Sequence, residues 1–229
     1  MSARAFAVTL PAQISTRRQY HGGCAVAYAL DQLGHRWTIP VIKELLFGGM
    51  RFSALKSRLP GIGPNVLIQR LTELEDLGLV RKRELLEPAP VNLYELTDEG
   101  QGVRPLIIAL ARWAVHSPAY EIFQPLSPAS LMILLEARLN PDAAAGLECG
   151  VGIRVGHESF IATLSGGQIS IERDETVDGT ATISGSATAI CQYIFERTPV
   201  ELLESDGRIT SSGDRALIRK LPTIFNSAR

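Results

Sequence analysis

The chain has 229 residues, 45% of them hydrophobic and 21% charged, which excludes a disordered or collagen-like protein. Its three cysteines, Cys24, Cys149 and Cys191, are too few and too odd in number for the disulfide framework of a small secreted protein. No apolar run approaches the ~18 residues that cross a membrane. The composition therefore favours a cytoplasmic protein with free thiols and no membrane partner.

The formal net charge of −1 hides a difference between the two halves of the chain. Residues 1–120 contain 14 basic and 10 acidic residues, whereas residues 121–229 contain 9 and 14. A basic half followed by an acidic half indicates two domains, and a proline-containing stretch lies where the charge changes sign. We predict an N-terminal arm at 1–22, a first domain at 23–115, a linker at 116–128 and a second domain at 129–229.

Helical signals dominate the first domain. Apolar residues recur at helical spacing in four segments that end at glycine or proline, and the fourth begins at Pro64, a favourable first helical residue. Strands are predicted at 79–86 and 91–96, joined by a proline-containing turn. Thr97 is predicted to cap a closing helix, in which Pro105 indicates a kink or a late start. The broad apolar stripe of that helix predicts a homodimer partner.

The periodicity changes in the second domain, where apolar and polar residues alternate as in half-buried strands. Gly166-Gly167 is typical of a hairpin turn. We predict strands near 147–155, 160–164, 169–171 and 181–183, and helices near 131–135, 187–197 and 214–225. The predicted second domain is an α+β module with an antiparallel sheet, and the fold class of the whole chain is α+β.

Several motifs of the first domain occur in a fixed order: Asp31-x-Leu33-Gly34-x-Arg36-Trp37, Gly49-Met50-Arg51-Phe52-Ser53, Leu59-Pro60-Gly61-Ile62, Leu67-x-x-Arg70-Leu71 and Tyr94-x-Leu96-Thr97. Across residues 22–115 they resemble the HxlR family of bacterial transcription regulators. The resemblance implies a winged helix-turn-helix domain that binds double-stranded DNA. It also implies a homodimer, acting as a repressor on a pseudo-palindromic operator.

The helix that begins at Pro64 is the predicted recognition helix. Its predicted outward residues are Asn65, Gln69 and Arg70, which are types that make bidentate contacts to adenine and guanine. Phosphate contacts are predicted from nearby helix ends and from the first wing strand, at Arg36, Arg51, Ser53, Lys56, Arg58, Arg81 and Arg83. The alternative interpretation of the outward residues of this helix is an ordinary solvated surface.

The second domain contains Leu164-Ser165-Gly166-Gly167-Gln168-Ile169 and, later, Gly207-Arg208-Ile209. In their order these motifs resemble the sterol-carrier-protein-2-like fold, which implies an apolar cavity and an apolar small-molecule effector. The candidate lining residues are Phe160, Ile169, Ile171, Ile190, Tyr193, Ile194, Phe195 and Phe225. The same apolar periodicity is expected of an ordinary core.

No catalytic, metal or cofactor site is predicted, because His21, His35, His116 and His157 lack metal-ligand spacing. The chain is therefore predicted not to be an enzyme. Cys24 occupies the position of a thiol that senses oxidants in some HxlR-type proteins, and the alternative for it is a small buried hydrophobe. An alternative function for the chain is a carrier of hydrophobic ligands whose winged helix serves mainly for dimerisation.

Overall fold

The computed structural model describes Tyr20 and residues 23–85, 91–120, 126–177 and 179–225. The predicted N-terminal arm, apart from Tyr20, and the turn at 86–90 between the wing strands lie outside the described residues. Contacts group the chain into two compact units, residues 1–35 and residues 36–229, and each is described by itself.

The first unit contains one described helix, α1 (Ala25–Leu33), which begins directly after Cys24. The backbone amide of Tyr20 donates hydrogen bonds to both carboxylate oxygens of Asp31, each at 3.2 Å. Three large apolar side chains of the helix are exposed: Val26, Tyr28 and Leu30.

The second unit opens with a winged helix-turn-helix, as predicted. Its elements are α2 (Thr38–Leu45), β1 (Met50–Arg51), α3 (Phe52–Arg58), α4 (Pro64–Asp76), β2 (Val80–Leu85), β3 (Val91–Leu96), α5 (Asp98–Gln101) and α6 (Arg104–Ala114). The three strands form an antiparallel sheet in the order β1-β3-β2. The wing is the β2–β3 hairpin, and β1 was missed because it has only two residues.

Local chemistry explains where these helices begin and end. Pro64 lies in the first turn of α4, and Gly78 follows that helix with a φ of +70°, a conformation that glycine adopts without strain. The Thr97 hydroxyl accepts a hydrogen bond from the Gly100 amide at 3.1 Å, as the capping prediction required. Pro105 lies in the first turn of α6, so the prediction of a late helix start is confirmed.

The C-terminal half follows with α7 (Pro128–Ala137), α8 (Pro141–Ala144), β4 (Cys149–Val155), β5 (Glu158–Ser165), β6 (Gln168–Arg173), β7 (Ala181–Gly185), α9 (Ala187–Phe195), α10 (Val200–Ser205), β8 (Ile209–Gly213) and α11 (Arg215–Ile224). The five strands form one sheet in the order β6-β5-β4-β7-β8. This arrangement confirms the α+β class.

The predicted antiparallel sheet is wrong at one pairing, since β7 runs parallel to β4 with Val151 opposite Ala181. Because β6 runs in the same direction as β4, the chain must cross back between β6 and β7 before β7 can lie parallel to β4. The helices α8 and α10 and the strand β8 were not predicted. In β8 only Ile209 is buried, so no alternation marks the strand.

The helix α7 joins the two halves of the second unit. Ala129 and every residue from Leu131 to Ala137 are buried, because the helix packs against α2, α6 and β6. A helix that is apolar on nearly all sides belongs inside a core. Residues before and after the predicted linker at 116–128 therefore pack as one body, and the proposed domain boundaries stay predictions.

Candidate nucleic-acid interface

One edge of α4 is polar and open to solvent. Asn65, Gln69 and Thr72 are exposed and lie four and three residues apart, so they share one face of the helix. The Gln69 side-chain amide donates to Glu73 at 3.1 Å, which holds it along the helix surface. The opposite face is buried through three leucines: Leu67, Leu71 and Leu74. This edge therefore has the exposure that base contacts require.

Arg70 does not belong to that edge, and its prediction as an outward residue is wrong. It lies three residues after Leu67 and four before Leu74, on the buried face, and is only 8% exposed. Its Nη1 lies 2.5 Å from Glu73 Oε2, and its Nη2 donates to Glu73 Oε1 at 3.0 Å. Its polar chemistry suggested an outward position, but the helical period places it against the core.

The candidate phosphate-binding residues differ in their surroundings. Arg36, Arg51 and Ser53 are exposed, and Lys56 is partly exposed. Arg58, at the end of α3, instead pairs with Glu158 of β5. Burial lowers the pKa of the Arg58 guanidinium, although it is partly opposed by the charge of Glu44. A phosphate contact by Arg58 would require its ion pair to open.

The wing carries two ion pairs that were not predicted from the sequence. Arg81 and Arg83 share one face of β2, as alternation predicts, and each Nε donates to one carboxylate oxygen of Glu95 on β3 at 2.8 Å. Partial burial works to raise the pKa of Glu95, but the two hydrogen bonds outweigh it and hold that pKa below its usual value. The hairpin register places Glu95 opposite Arg81 and could have revealed this pairing.

Two aromatic rings join the winged helix to the C-terminal sheet. Phe47, after α2, meets Phe160 of β5 edge to face, with ring centroids 5.7 Å apart. The Arg104 guanidinium lies 4.8 Å from the Phe47 ring, and that of Arg173 lies 5.6 Å from the Phe160 ring. Arg173 Nε also donates to the Phe47 carbonyl at 2.9 Å. Phe47, Phe160, Arg104 and Arg173 are called the aromatic junction below.

Two buried carboxylates stabilise the same contact region. Glu136 of α7 is 7% exposed and pairs with Arg104, which also donates to the Ile171 carbonyl at 2.9 Å. Burial raises the pKa of Glu136, and the partner Arg104 opposes that change. Glu44 of α2 is 2% exposed and accepts a hydrogen bond from the Ser127 hydroxyl at 2.7 Å. Since Ser127 also caps α7, this bond ties the start of α7 to α2.

The structure does not gather the eight candidate ligand-lining residues around one cavity. Five are at most 1% exposed and pack as core: Phe160, Ile171, Ile190, Ile194 and Phe225. Ile169 and Phe195 are partly exposed. Tyr193 lines a pocket of about 270 Å³ that also includes Arg197 and Arg219. Grouping the eight into one cavity is wrong, because core and cavity residues share the same apolar periodicity.

A second pocket of about 210 Å³ lies between α6 and α7. Its lining is mainly apolar and includes Ile107 and Ala111 of α6 and Ile133 and Leu134 of α7, together with Lys43. None of the eight candidate residues contributes to it.

The described thiols differ in exposure. Cys24 is exposed at the start of α1, so the alternative that it is a buried hydrophobe is wrong. Burial raises the pKa of Cys191 to about 12 and also raises that of Cys149, so neither favours the reactive thiolate. Within the described ranges, no cluster of three histidine, cysteine or acidic side chains could hold a metal ion. Nor is any helix there both long and apolar enough to cross a membrane.

Residues 32–119 match the family model described as HxlR-like helix-turn-helix. The uncharacterized HTH-type transcriptional regulator YvaP of Bacillus subtilis (strain 168) is 39% identical over 89 residues, covering 38% of this chain and 82% of that protein. Another uncharacterized HTH-type transcriptional regulator, from Methanothermobacter thermautotrophicus, is 36% identical, covering 39% of this chain and 69% of that protein.

Among solved structures, the reduced form of the transcriptional regulator YodB from B. subtilis shows 28% identity and a TM-score of 0.39, covering 43% of this chain and 97% of that one. The match to YvaP spans most of that protein, and the residues that match the family model contain the winged helix-turn-helix described above. The chain belongs to the HxlR-like helix-turn-helix family.

Proposed function

We propose that this chain is a DNA-binding transcriptional regulator that places α4 in the major groove. The observation that carries the proposal is the exposed polar edge of α4 within a winged helix-turn-helix, where Asn65 and Gln69 lie one turn apart. Side-chain amides of this kind make bidentate hydrogen bonds with adenine in the major groove. Arg36, Arg51 and Ser53 are the exposed groups proposed to bind the flanking phosphates, with Lys56 assisting.

The proposed regulator is a repressor that binds its operator as a homodimer. Two winged helices related by a two-fold axis would meet successive major grooves about 34 Å apart, so the operator is a pseudo-palindrome. A deoxyribonuclease footprint on the region upstream of the chain's own gene tests the proposal. We expect two protected half-sites about one helical turn apart. Uniform protection that follows no sequence, or none at all, would contradict it.

The dimer proposal is supported by the outer face of α6. Leu106 and Leu110 are 43% and 47% exposed, and Trp113 is 77% exposed, so one helix presents three large apolar side chains to solvent. Burial against a second copy of the chain would likewise stabilise the exposed apolar side chains of α1. Burial of such side chains contributes about 1.5 to 3 kcal/mol each.

Replacing Trp113 by glutamate is expected to convert the dimer into monomers, because a carboxylate would enter the apolar interface. Sedimentation equilibrium measures the molar mass, and operator binding should weaken together with the loss of mass. Leu202→Glu is the matched control, since Leu202 is 52% exposed but lies on α10. A Trp113→Glu protein that remains as dimeric as the control would place the interface elsewhere.

The wing is proposed to contact the backbone through Arg81 and Arg83. Replacing Glu95 by glutamine is expected to strengthen binding to non-specific duplex, since it removes the charge that neutralises both arginines. The slope of log affinity against log salt should steepen by up to about 1 per subunit. Salt-dependent fluorescence anisotropy measures it. The control is Glu172→Gln, an equal charge change on the exposed side of β6. Equal slopes of log affinity against log salt for the two variants would argue against a wing contact.

The apolar effector and the sterol-carrier-like character of the C-terminal half are further parts of the proposal. The pocket between α6 and α7 supports an effector site, because it is apolar and its volume of about 210 Å³ suits a small aromatic molecule. Its wall includes Ile107 on α6, the helix proposed to dimerise. An effector would act by binding the DNA-competent and DNA-incompetent states with different affinity. Equal operator affinity with and without a tightly bound ligand would exclude this role.

A further inference from the structure

Two aliphatic side chains on α4 face solvent beside the polar edge. Ile68 is 53% exposed and Val66 is 39% exposed, so neither belongs to the leucine core beneath the helix. Ile68 lies three residues after Asn65 and four before Thr72, so it borders the row formed by Asn65, Gln69 and Thr72. Single exposed hydrophobic residues are common on protein surfaces. These two are informative because they lie beside the polar row that is proposed to contact bases.

The same helix presents no exposed guanidinium or ammonium group. Arg70 is the only basic residue between Pro64 and Asp76, and it is buried and paired with Glu73. Arginine and lysine are the side chains that recognise the guanine O6 and N7 atoms. The exposed face of α4 therefore lacks the usual group for reading guanine.

The groups that remain match a different base pair. Amides of asparagine and glutamine pair with the N6 and N7 atoms of adenine, and apolar side chains contact the thymine C5 methyl group. An A·T pair presents both features in the major groove. Residues three or four apart on a helix have Cβ atoms about 5–6 Å apart, so amide and aliphatic groups of α4 can reach the same or neighbouring pairs.

We propose that α4 selects A·T pairs in the centre of each half-site, with Asn65 and Gln69 binding adenine and Ile68 covering a thymine methyl group. Val66 extends the apolar contact on the other side of the polar row. This inference rests on the proposed function, since it assumes that α4 enters the major groove. It specifies which base pairs the side chains of α4 recognise.

The test replaces each thymine of the operator half-site in turn by deoxyuridine, which lacks only the methyl group. The operator is first obtained by selection from random duplexes with the full-length chain. Loss of one methyl contact should weaken binding about fourfold per half-site, and about fifteenfold when both half-sites are changed. Fluorescence anisotropy at fixed salt measures these ratios.

Ile68→Ala should abolish the difference between thymine and deoxyuridine at one position, while its melting temperature stays close to that of the wild type because the side chain is exposed. Leu202→Ala removes an equally exposed aliphatic residue on α10 and should keep the full difference. Equal binding of thymine and deoxyuridine operators by the wild type, or selected half-sites with G·C pairs at their centre, would overturn the inference alone. Failure to select any sequence would overturn the proposed function as well.

Discussion

Replacing Asn65 and Gln69 together by alanine is expected to remove most of the operator preference of this chain. Each bidentate contact to a base contributes about 1 to 3 kcal/mol of discrimination, and a dimer would lose both contacts in each subunit. We therefore expect operator affinity to fall at least about 100-fold, whereas affinity for unrelated duplex stays near its original value. Competition titrations with operator and scrambled duplexes measure the two effects separately.

The control for this double variant is Gln168→Ala, which removes an exposed amide from the start of β6. That variant should bind the operator as the wild type does. If the Asn65→Ala/Gln69→Ala protein kept the operator preference of the control, α4 would not be the element that reads bases. The carrier interpretation, in which the winged helix only dimerises, expects this outcome.

Replacing Arg104 by alanine is expected to destabilise the fold by about 2 to 3 kcal/mol. The change leaves the Glu136 carboxylate buried without its cation, and it also removes the hydrogen bond to Ile171 and the contact with Phe47 in the aromatic junction. This loss lies at or below the lower end of the range for breaking a buried ion pair, because the Arg104 side chain is 24% exposed. Urea unfolding followed by circular dichroism measures the loss.

The destabilisation by Arg104→Ala should depend on pH. Burial raises the pKa of Glu136 in the folded state, and without Arg104 that pKa rises further. The folded state then holds a proton that the unfolded state releases near pH 4.3, so stability falls as the pH rises from this value through the folded pKa. The variant should therefore lose more stability at pH 8 than at pH 5.

Adding Glu136→Gln to Arg104→Ala should recover part of the stability, since a neutral amide costs less to bury than an unpaired carboxylate. The double variant should also lose the pH dependence between pH 5 and pH 8. A loss that is the same at both pH values in the single variant would show that the ion pair does not stabilise the contact region.

The winged helix-turn-helix could be predicted because its signals are local. Pro64, Thr97 and Pro105 each fix a helix start through chemistry within one turn, and the structure follows them. Arg70 differs, because the structure places this predicted outward residue on the buried face of α4. Its spacing from Leu67 and Leu74 indicates the buried face, since residues three and four apart lie on the same side of a helix.

The C-terminal sheet and the contact between the halves depend on distant residues. The parallel pairing of β4 with β7 leaves no local pattern, because alternation is the same for parallel and antiparallel partners at a half-buried position. Arg58 and Glu158 are 100 residues apart, and nothing in either neighbourhood indicates the pair. Glu95 is different, because the hairpin register, a near-local property, brings it to Arg81 and Arg83.

The most direct test of the account is the affinity of the full-length wild-type chain for its selected operator, divided by its affinity for a scrambled duplex of equal length and composition. Sequence-specific regulators typically bind their sites 10³-fold or more tightly than other DNA at physiological salt. We predict a ratio of at least about 10³, with two protomers on each operator. A ratio near one would contradict the central claim that α4 reads DNA sequence.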